Sequence, residues 1–286
     1  MNTVGRIESD LALLNSRFGA PGRIAFRPGV NNLPIAALAA PGGGCEISLY
    51  GGHVLNFRPV GHSPVLFMSK SAVFEPGKPI RGGIPVCWPW FGPSEQGLHG
   101  TARVSEWCVD RTEYAGERTE LRLRLFDAPE GIQLFLSVAV DKKLSLELTT
   151  INLRSEPFRF SDCLHAYFAV SNIDKVTVRG ADLGEIRFES ECDKGFDQVS
   201  QDGFACRIED GGARRAIIVE ADDAGSVQIW NPWIEKSKRL PDLGDEDYKR
   251  FVCVEPGNMR TNEIVLAPGA AHTTSLRVSA ELEEWA

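Results

Sequence analysis

The sequence predicts an all-β protein, a large antiparallel β-sandwich with many strands in two packed sheets. Three observations carry that expectation. Apolar and polar residues alternate with period two through most of the chain after Gly44. Turn signals rich in Gly, Pro and Asp separate the alternating runs. Beyond Leu11–Phe18 no segment of any length carries the period of a helix.

In chain order, Ser9 before Leu11, Leu13 and Leu14 predicts the start of a short amphipathic helix, an N-terminal extension around residues 9–18. Leu121, Leu123 and Leu125 alternate with Arg122 and Arg124, as a half-buried strand requires. Leu134, Leu136, Val138 and Val140 repeat the pattern, and Leu144, Leu146 and Leu148 face Ser145, Glu147 and Thr149. Near the end of the chain Leu276, Val278 and Ala280 alternate with Arg277 and Ser279. Pro129–Gly131, Asp202–Gly203, Gly211–Gly212 and Pro268–Gly269 are the expected turns. No Ser/Gly linker, low-complexity tract, abrupt charge shift or short repeat interrupts the chain, so residues 1–286 are expected to form one domain.

The apolar fraction of 43% suffices for a buried core. A net charge of −8 disfavours a nucleic-acid binder, and no apolar run reaches the roughly 18–20 residues of a membrane span. The acidic residues within the N-terminal apolar stretch do not suit a signal peptide. Seven cysteines lie scattered without CxxC pairs, several in apolar runs, which suits reduced thiols and a cytoplasmic location. The five histidines show no HxH or HExxH spacing, so neither a metal nor a nucleotide cofactor is expected. A monomer acting on a small molecule is the expected state.

The most informative stretch is PIRGGIPVCWPWFG at Pro79–Gly92, followed by HGTAR at His99–Arg103. It sets Arg81, His99 and Arg103 among glycines, prolines and the aromatics Trp88, Trp90 and Phe91. Aromatic rings cover the apolar face of a pyranose, and guanidinium forks grip oxyanions bidentately, so the pattern suits a sugar with an acidic group. Downstream stand DCLHAYF at Asp162–Phe168, IWNPWIEKSKRLPD at Ile229–Asp242 and FVCVEPGN at Phe251–Asn258. Together these segments resemble the hexose-6-phosphate mutarotases (glucose-6-phosphate 1-epimerases), a branch of the aldose 1-epimerase family, from about Gly51 to the end of the chain.

That resemblance implies the antiparallel supersandwich of galactose mutarotase-like proteins. It also implies interconversion of the α and β anomers of a hexose 6-phosphate, glucose 6-phosphate foremost. Opening the ring needs an acid for the ring oxygen and a base for the anomeric hydroxyl. Among such relatives the His of H-x-Y-F and the Glu of V/I-C-V/I-E fill those roles, here His165 and Glu255. On composition alone, His165 in an apolar strand would be a hydrogen-bonded core residue and Glu255 a strand terminator.

The resemblance further implies that Arg81 and Arg103 bind the substrate, their charge pointing to its phosphate; His99 reads either as a hydrogen-bond partner of a sugar hydroxyl or as a residue that orders its loop. The glycines after Arg81 are expected to let backbone and ligand approach closely. Asp197 matches a sugar-binding Asp in a segment that otherwise departs from the pattern at Gln198 and Ser200, with Asp193 as a nearby competitor. Leu98 replaces a Gln that some relatives use on substrate. Trp233 is expected to wall the pocket; the competing reading makes Trp230 and Trp233 core and Lys236, Lys238 and Arg239 a solvated face.

Two other classes stand beside this reading. One is a non-catalytic sugar-phosphate binding or sensing module on the same fold, which has little need of an intact His/Glu pair. The other is a glycoside hydrolase or lyase, which generally requires two flanking carboxyl groups where only Glu255 is nominated.

Overall fold

The computed structural model describes residues 10–199 and 203–282, whose regular structure consists mainly of antiparallel strands. The helix Leu11–Phe18 forms as expected, but its N-cap is Asp10, whose carboxylate accepts from Leu13 N at 3.0 Å. Ser9 lies outside the described residues, as do Ser200 and Asp202.

Nine strands make the largest sheet, with Ala271–Leu282 between Arg215–Ala221 and Leu144–Asn152. The alternating runs fall here: Leu121, Leu123, Leu134, Leu136, Leu144, Leu146, Leu148, Leu276 and Val278 are all fully buried. Register couples them, Leu136 pairing with Leu148 and Leu123, and Leu146 with Leu276. Burying one such side chain stabilises the fold by about 1.5–3 kcal/mol before entropy is counted. Arg122, on the opposite face, lies 3.9 Å above the Phe135 ring.

A six-stranded sheet holds Glu255 and the strands that flank His165. Its order is Cys192–Phe196, Ser226–Asn231, Phe251–Asn258, Asp162–Leu164 and Val86–Cys87, with Ala166–Ala169 also pairing to Phe251–Asn258. Strands from distant parts of the chain meet here, so its side-chain neighbours are set by long-range pairing. Instead of two sheets alone, the described residues add a four-stranded sheet and two two-stranded ribbons. Residues Ile24–Pro59 fold as a four-stranded meander of short hairpins. Its apolar face joins the same buried cluster, in which Phe57, Leu136 and Val254 all take part.

At one end of the six-stranded sheet Asp162 ties two strands together. Its carboxylate accepts from Asn258 N at 2.9 Å, Asn258 Nδ2 at 3.0 Å and the Thr274 hydroxyl at 2.7 Å. Among the described residues no helix is long and apolar enough to cross a membrane.

Candidate active site

The strand Phe251–Asn258 is buried at every position, and its alternation puts Cys253 and Glu255 on one face. Ala166–Ala169 runs antiparallel beside it, with Ala166 opposite Val254 and Tyr167 opposite Cys253. His165 sits just before that strand, at a break after Asp162–Leu164, and its backbone N–H donates to Pro85 O at 3.1 Å. Pairing thus carries two residues ninety positions apart into contact: His165 Nδ1 lies 3.4 Å from Glu255 Oε1. His165 Nδ1 and Glu255 Oε2 are buried without a hydrogen-bond partner. Orphaned polar atoms in an interior are costly and need an explanation. Here they border a cavity of about 780 Å³, a size suited to a small organic ligand.

Burial favours the neutral form of both groups. Desolvation, then His99, Arg103 and Arg81, push His165 well below its ordinary 6.5. Desolvation, then the nearby Cys87 and Asp193, push Glu255 well above its ordinary 4.5. Opposed shifts of this kind suit a pair that shares a single proton.

His99 is set over His165 by the short ribbon Pro93–Leu98. Gly92 N–H donates to His99 Nδ1 at 3.1 Å, and His99 N–H donates to Gly92 O at 2.9 Å. Nδ1 therefore accepts, and the ring proton resides on Nε2. Burial and the two arginines hold His99 down at about 3, so it serves as a neutral donor. Its ring meets that of His165 edge-on at 5.6 Å, and His165 stacks on Tyr167 at 4.9 Å.

The cations differ in their partners. Arg81 Nη1 donates to the Tyr167 hydroxyl at 2.9 Å, and its Nη2 lies 3.1 Å from Asp242 Oδ2. Arg103 Nη2 donates to the carbonyl of Leu98 at 2.6 Å. Among the described residues it has no carboxylate partner, and its Nε is buried without one. Both arginines line the cavity, with His99, His165 and Glu255.

Asp197 does not line it. That carboxylate lies just past the end of Cys192–Phe196 and accepts from Arg260 Nε at 2.6 Å. Asp193 lies on the cavity wall, and Gln228 Nε2 donates to it at 2.8 Å. Arg260 Nη1 donates to Gln228 Oε1 at 3.0 Å, so Asp197 reaches the wall only through Arg260 and Gln228.

Several side chains change places relative to the sequence reading. Trp230 lines the cavity, while Trp233 packs on Tyr248 at 5.3 Å and does not. Alternation along Ser226–Asn231 explains this, since Gln228 and Trp230 share a face and the chain turns into a helix at Trp233. Lys236 lines the cavity as well, held by Glu191 at 2.7 Å and Asp193 at 3.4 Å. Of the three aromatics near Arg81, only Phe91 reaches the cavity. Trp88 is fully buried, and Trp90 Nε1 donates to Gly97 O at 3.1 Å. Gly82 and Gly83, both at positive φ, leave room for protein backbone and not for a ligand. A Cβ on either would stand 2.5 Å from Phe67 O or 2.2 Å from Val54 O.

Comparison with known proteins agrees with this architecture. The model of the aldose 1-epimerase family matches residues 35–279. An Escherichia coli (strain K12) protein named "Putative glucose-6-phosphate 1-epimerase" is 31% identical over 283 residues, covering 90% of this chain and 94% of its own length. A protein of the same name from Cenchrus ciliaris is 31% identical over 273 residues, covering 82% and 80%. The crystal structure of a "putative mutarotase" from Salmonella typhimurium superposes with a TM-score of 0.83 at 24% identity, over 93% of this chain and 96% of that one. A galactose mutarotase-like protein from Clostridium acetobutylicum superposes at 0.70 with 16% identity, over 91% and 98%. At those identities the two structures speak to the fold. The family match and the curated relatives speak to descent, and this chain is an isomerase belonging to the aldose 1-epimerase family.

Proposed function

We propose that the protein interconverts the α and β anomers of a hexose 6-phosphate, with glucose 6-phosphate as the leading candidate. The observation that carries the reading is His165 and Glu255 at 3.4 Å on the floor of a cavity where Arg103 has no carboxylate partner among the described residues. The relatives named for glucose 6-phosphate support the same choice.

His165 gives a proton to the ring oxygen while Glu255 takes the proton of the anomeric hydroxyl. The bond from ring oxygen to C1 breaks, and the open aldehyde rotates about its bond to C2. Closure on the other face runs the two transfers in reverse, so the pair ends as it began. Burial, which favours the neutral form of both groups, keeps the shared proton on the carboxyl. Arg103 and Arg81 are among the charges that disfavour imidazolium. A phosphate dianion beside them offsets that field and raises the proton affinity of His165 and, through Arg103, of Glu255, so the phosphate tunes the pair as well as binding. His99 Nε2–H and Asp193 hold sugar hydroxyls, and Trp230 and Phe91 cover the ring. Asp197 acts on the sugar indirectly, by fixing Arg260 and through it Gln228 and Asp193.

Saturation-transfer NMR on equilibrated anomers tests this. Exchange of glucose 6-phosphate is expected to accelerate strongly and that of glucose more weakly. Tight binding with no acceleration would instead identify a sugar-phosphate sensor.

A further inference from the structure

Directly beneath the acid–base pair lies a thiol that the anomerase reaction does not use. Cys253 is two residues before Glu255 on the same face of its strand and is fully buried. One ligand atom from each of His165, Cys253 and Glu255 falls within 4.8 Å of the other two. Two features make this trio more than a chance cluster. His165 Nδ1 and Glu255 Oε2 have no hydrogen-bond partner, although their residues are only 6% and 1% exposed. His165 and Glu255 also line the cavity, which gives a route from solvent.

We infer that these three residues form a binding site for a thiophilic divalent cation of the zinc class, and that its occupation blocks the active site reversibly. Imidazole, thiolate and carboxylate are the donor types zinc selects, and three protein ligands leave a fourth position for water or a sugar hydroxyl. Bonds of about 2.0–2.3 Å place tetrahedral donors roughly 3.3–3.8 Å apart. The 3.4 Å separation of His165 Nδ1 and Glu255 Oε1 already meets that, and the remaining approach is at most about an ångström of side-chain movement. The thiol proton and the proton held by Glu255 both leave to solvent as the metal–sulfur and metal–oxygen bonds form, with no change of oxidation state. Thiolate and carboxylate together balance the charge of the cation, so the buried complex is neutral. The metal is an inhibitor on this account, since it occupies the atoms that must carry the proton.

Cobalt(II) is the probe, because a thiolate ligand gives it a near-ultraviolet charge-transfer band whether or not the protein is catalytically active. The chelator-treated wild type is expected to bind one cobalt ion with that band. Cys253→Ala, or Cys253→Ser if the smaller side chain impairs folding, should lack it. Zinc should slow anomer exchange in competition with the sugar. Each variant being compared with its own metal-free rate, Cys253→Ala should need about tenfold more zinc or greater for half-inhibition, as expected for the loss of one ligand. A bound cobalt ion without a thiolate band, or zinc inhibition equal in wild type and Cys253→Ala, overturns the inference. The binding readout is independent of the proposed substrate, so failure of one leaves the other standing.

Discussion

Arg81 and Asp242 form an ion pair at the cavity edge, with 3.1 Å between Nη2 and Oδ2 and both side chains mostly buried. Arg103 faces the same cavity with only a carbonyl as its partner among the described residues. The two arginines are therefore unequal anion receptors. Arg103 offers an uncompensated charge, while Arg81 offers one already offset by Asp242 and tied to Tyr167.

Arg103→Ala is accordingly expected to weaken glucose 6-phosphate binding by about 10- to 150-fold, the equivalent of roughly 1.5–3 kcal/mol for a charge-assisted hydrogen bond. Binding of free glucose should hardly change. Arg81→Ala should also penalise the phosphorylated sugar, because it exposes the Asp242 carboxylate to the phosphate. Adding Asp242→Asn to Arg81→Ala should then recover part of the loss. Calorimetric titration with both sugars decides the matter, and equal losses for glucose and its phosphate in Arg103→Ala would exclude phosphate contact by that residue.

Truncating either member of the proton-transfer pair should abolish exchange with the fold intact. A general acid or base contributes about 100- to 10,000-fold, so His165→Asn and Glu255→Gln should each lose at least the lower figure. Glu255→Gln has a second signature. Glu255 binds its proton more tightly folded than unfolded, so its contribution is fully present below about 4.5 and declines as pH rises towards the raised folded value. Gln does not titrate. The melting temperature of Glu255→Gln relative to wild type should therefore climb as pH rises above 4.5. A difference that stayed constant with pH, or exchange within a few-fold of wild type, would remove Glu255 from the assigned role.

The strands were legible because burial on one face writes itself locally: Leu134, Leu136, Val138 and Val140 read as one buried row and form one. The motifs around His165 and Glu255 were legible by resemblance, yet their contact arises from pairing between Ala166–Ala169 and Phe251–Asn258, which no local pattern encodes. The cavity wall was harder to read for the same reason. Whether Trp230 or Trp233 faces the cavity depends on where a strand ends and a helix starts. The same holds for Asp193 and Asp197, four residues apart across a strand end. Lys236 read as one of a solvated basic group, and only its folded position next to Asp193 distinguishes it from Lys238. A finer reading of strand phase, with Gln228 and Trp230 assigned to the face of Glu255's neighbours, would have been the available signal.

The separation of Asp193 from Asp197 is itself testable. Asp193 lines the cavity, whereas Asp197 is linked to it through Arg260 and Gln228. Asp193→Ala should raise KM for the sugar about tenfold, as the loss of a hydrogen bond worth roughly 1.5 kcal/mol requires. Asp197→Ala should act only by releasing Arg260. Arg260→Ala should therefore reproduce its effect, and the double variant should be no worse than either single one. Additive losses in that cycle would show that Asp197 has a contact of its own with the sugar.

The pH dependence of exchange should expose the electrostatic link between the arginines and the proton-transfer pair. On the proposed mechanism the pair works while it holds one proton. It gains a second only below the lowered value of His165, and loses its last only above the raised value of Glu255. With glucose, which does not titrate in this range, the acid limb should therefore lie below pH 6.5 and the alkaline limb well above 4.5. Glucose 6-phosphate is less suited to the measurement because its own second ionisation falls near about 6. Arg103 disfavours protonated His165 and favours ionised Glu255, so Arg103→Ala should move both limbs upward. Rate profiles of the two proteins with glucose make the comparison directly. An acid limb centred above 6.5 in the wild type, or limbs unmoved by Arg103→Ala, would show that the arginines do not tune the pair and that tuning by the phosphate must be abandoned.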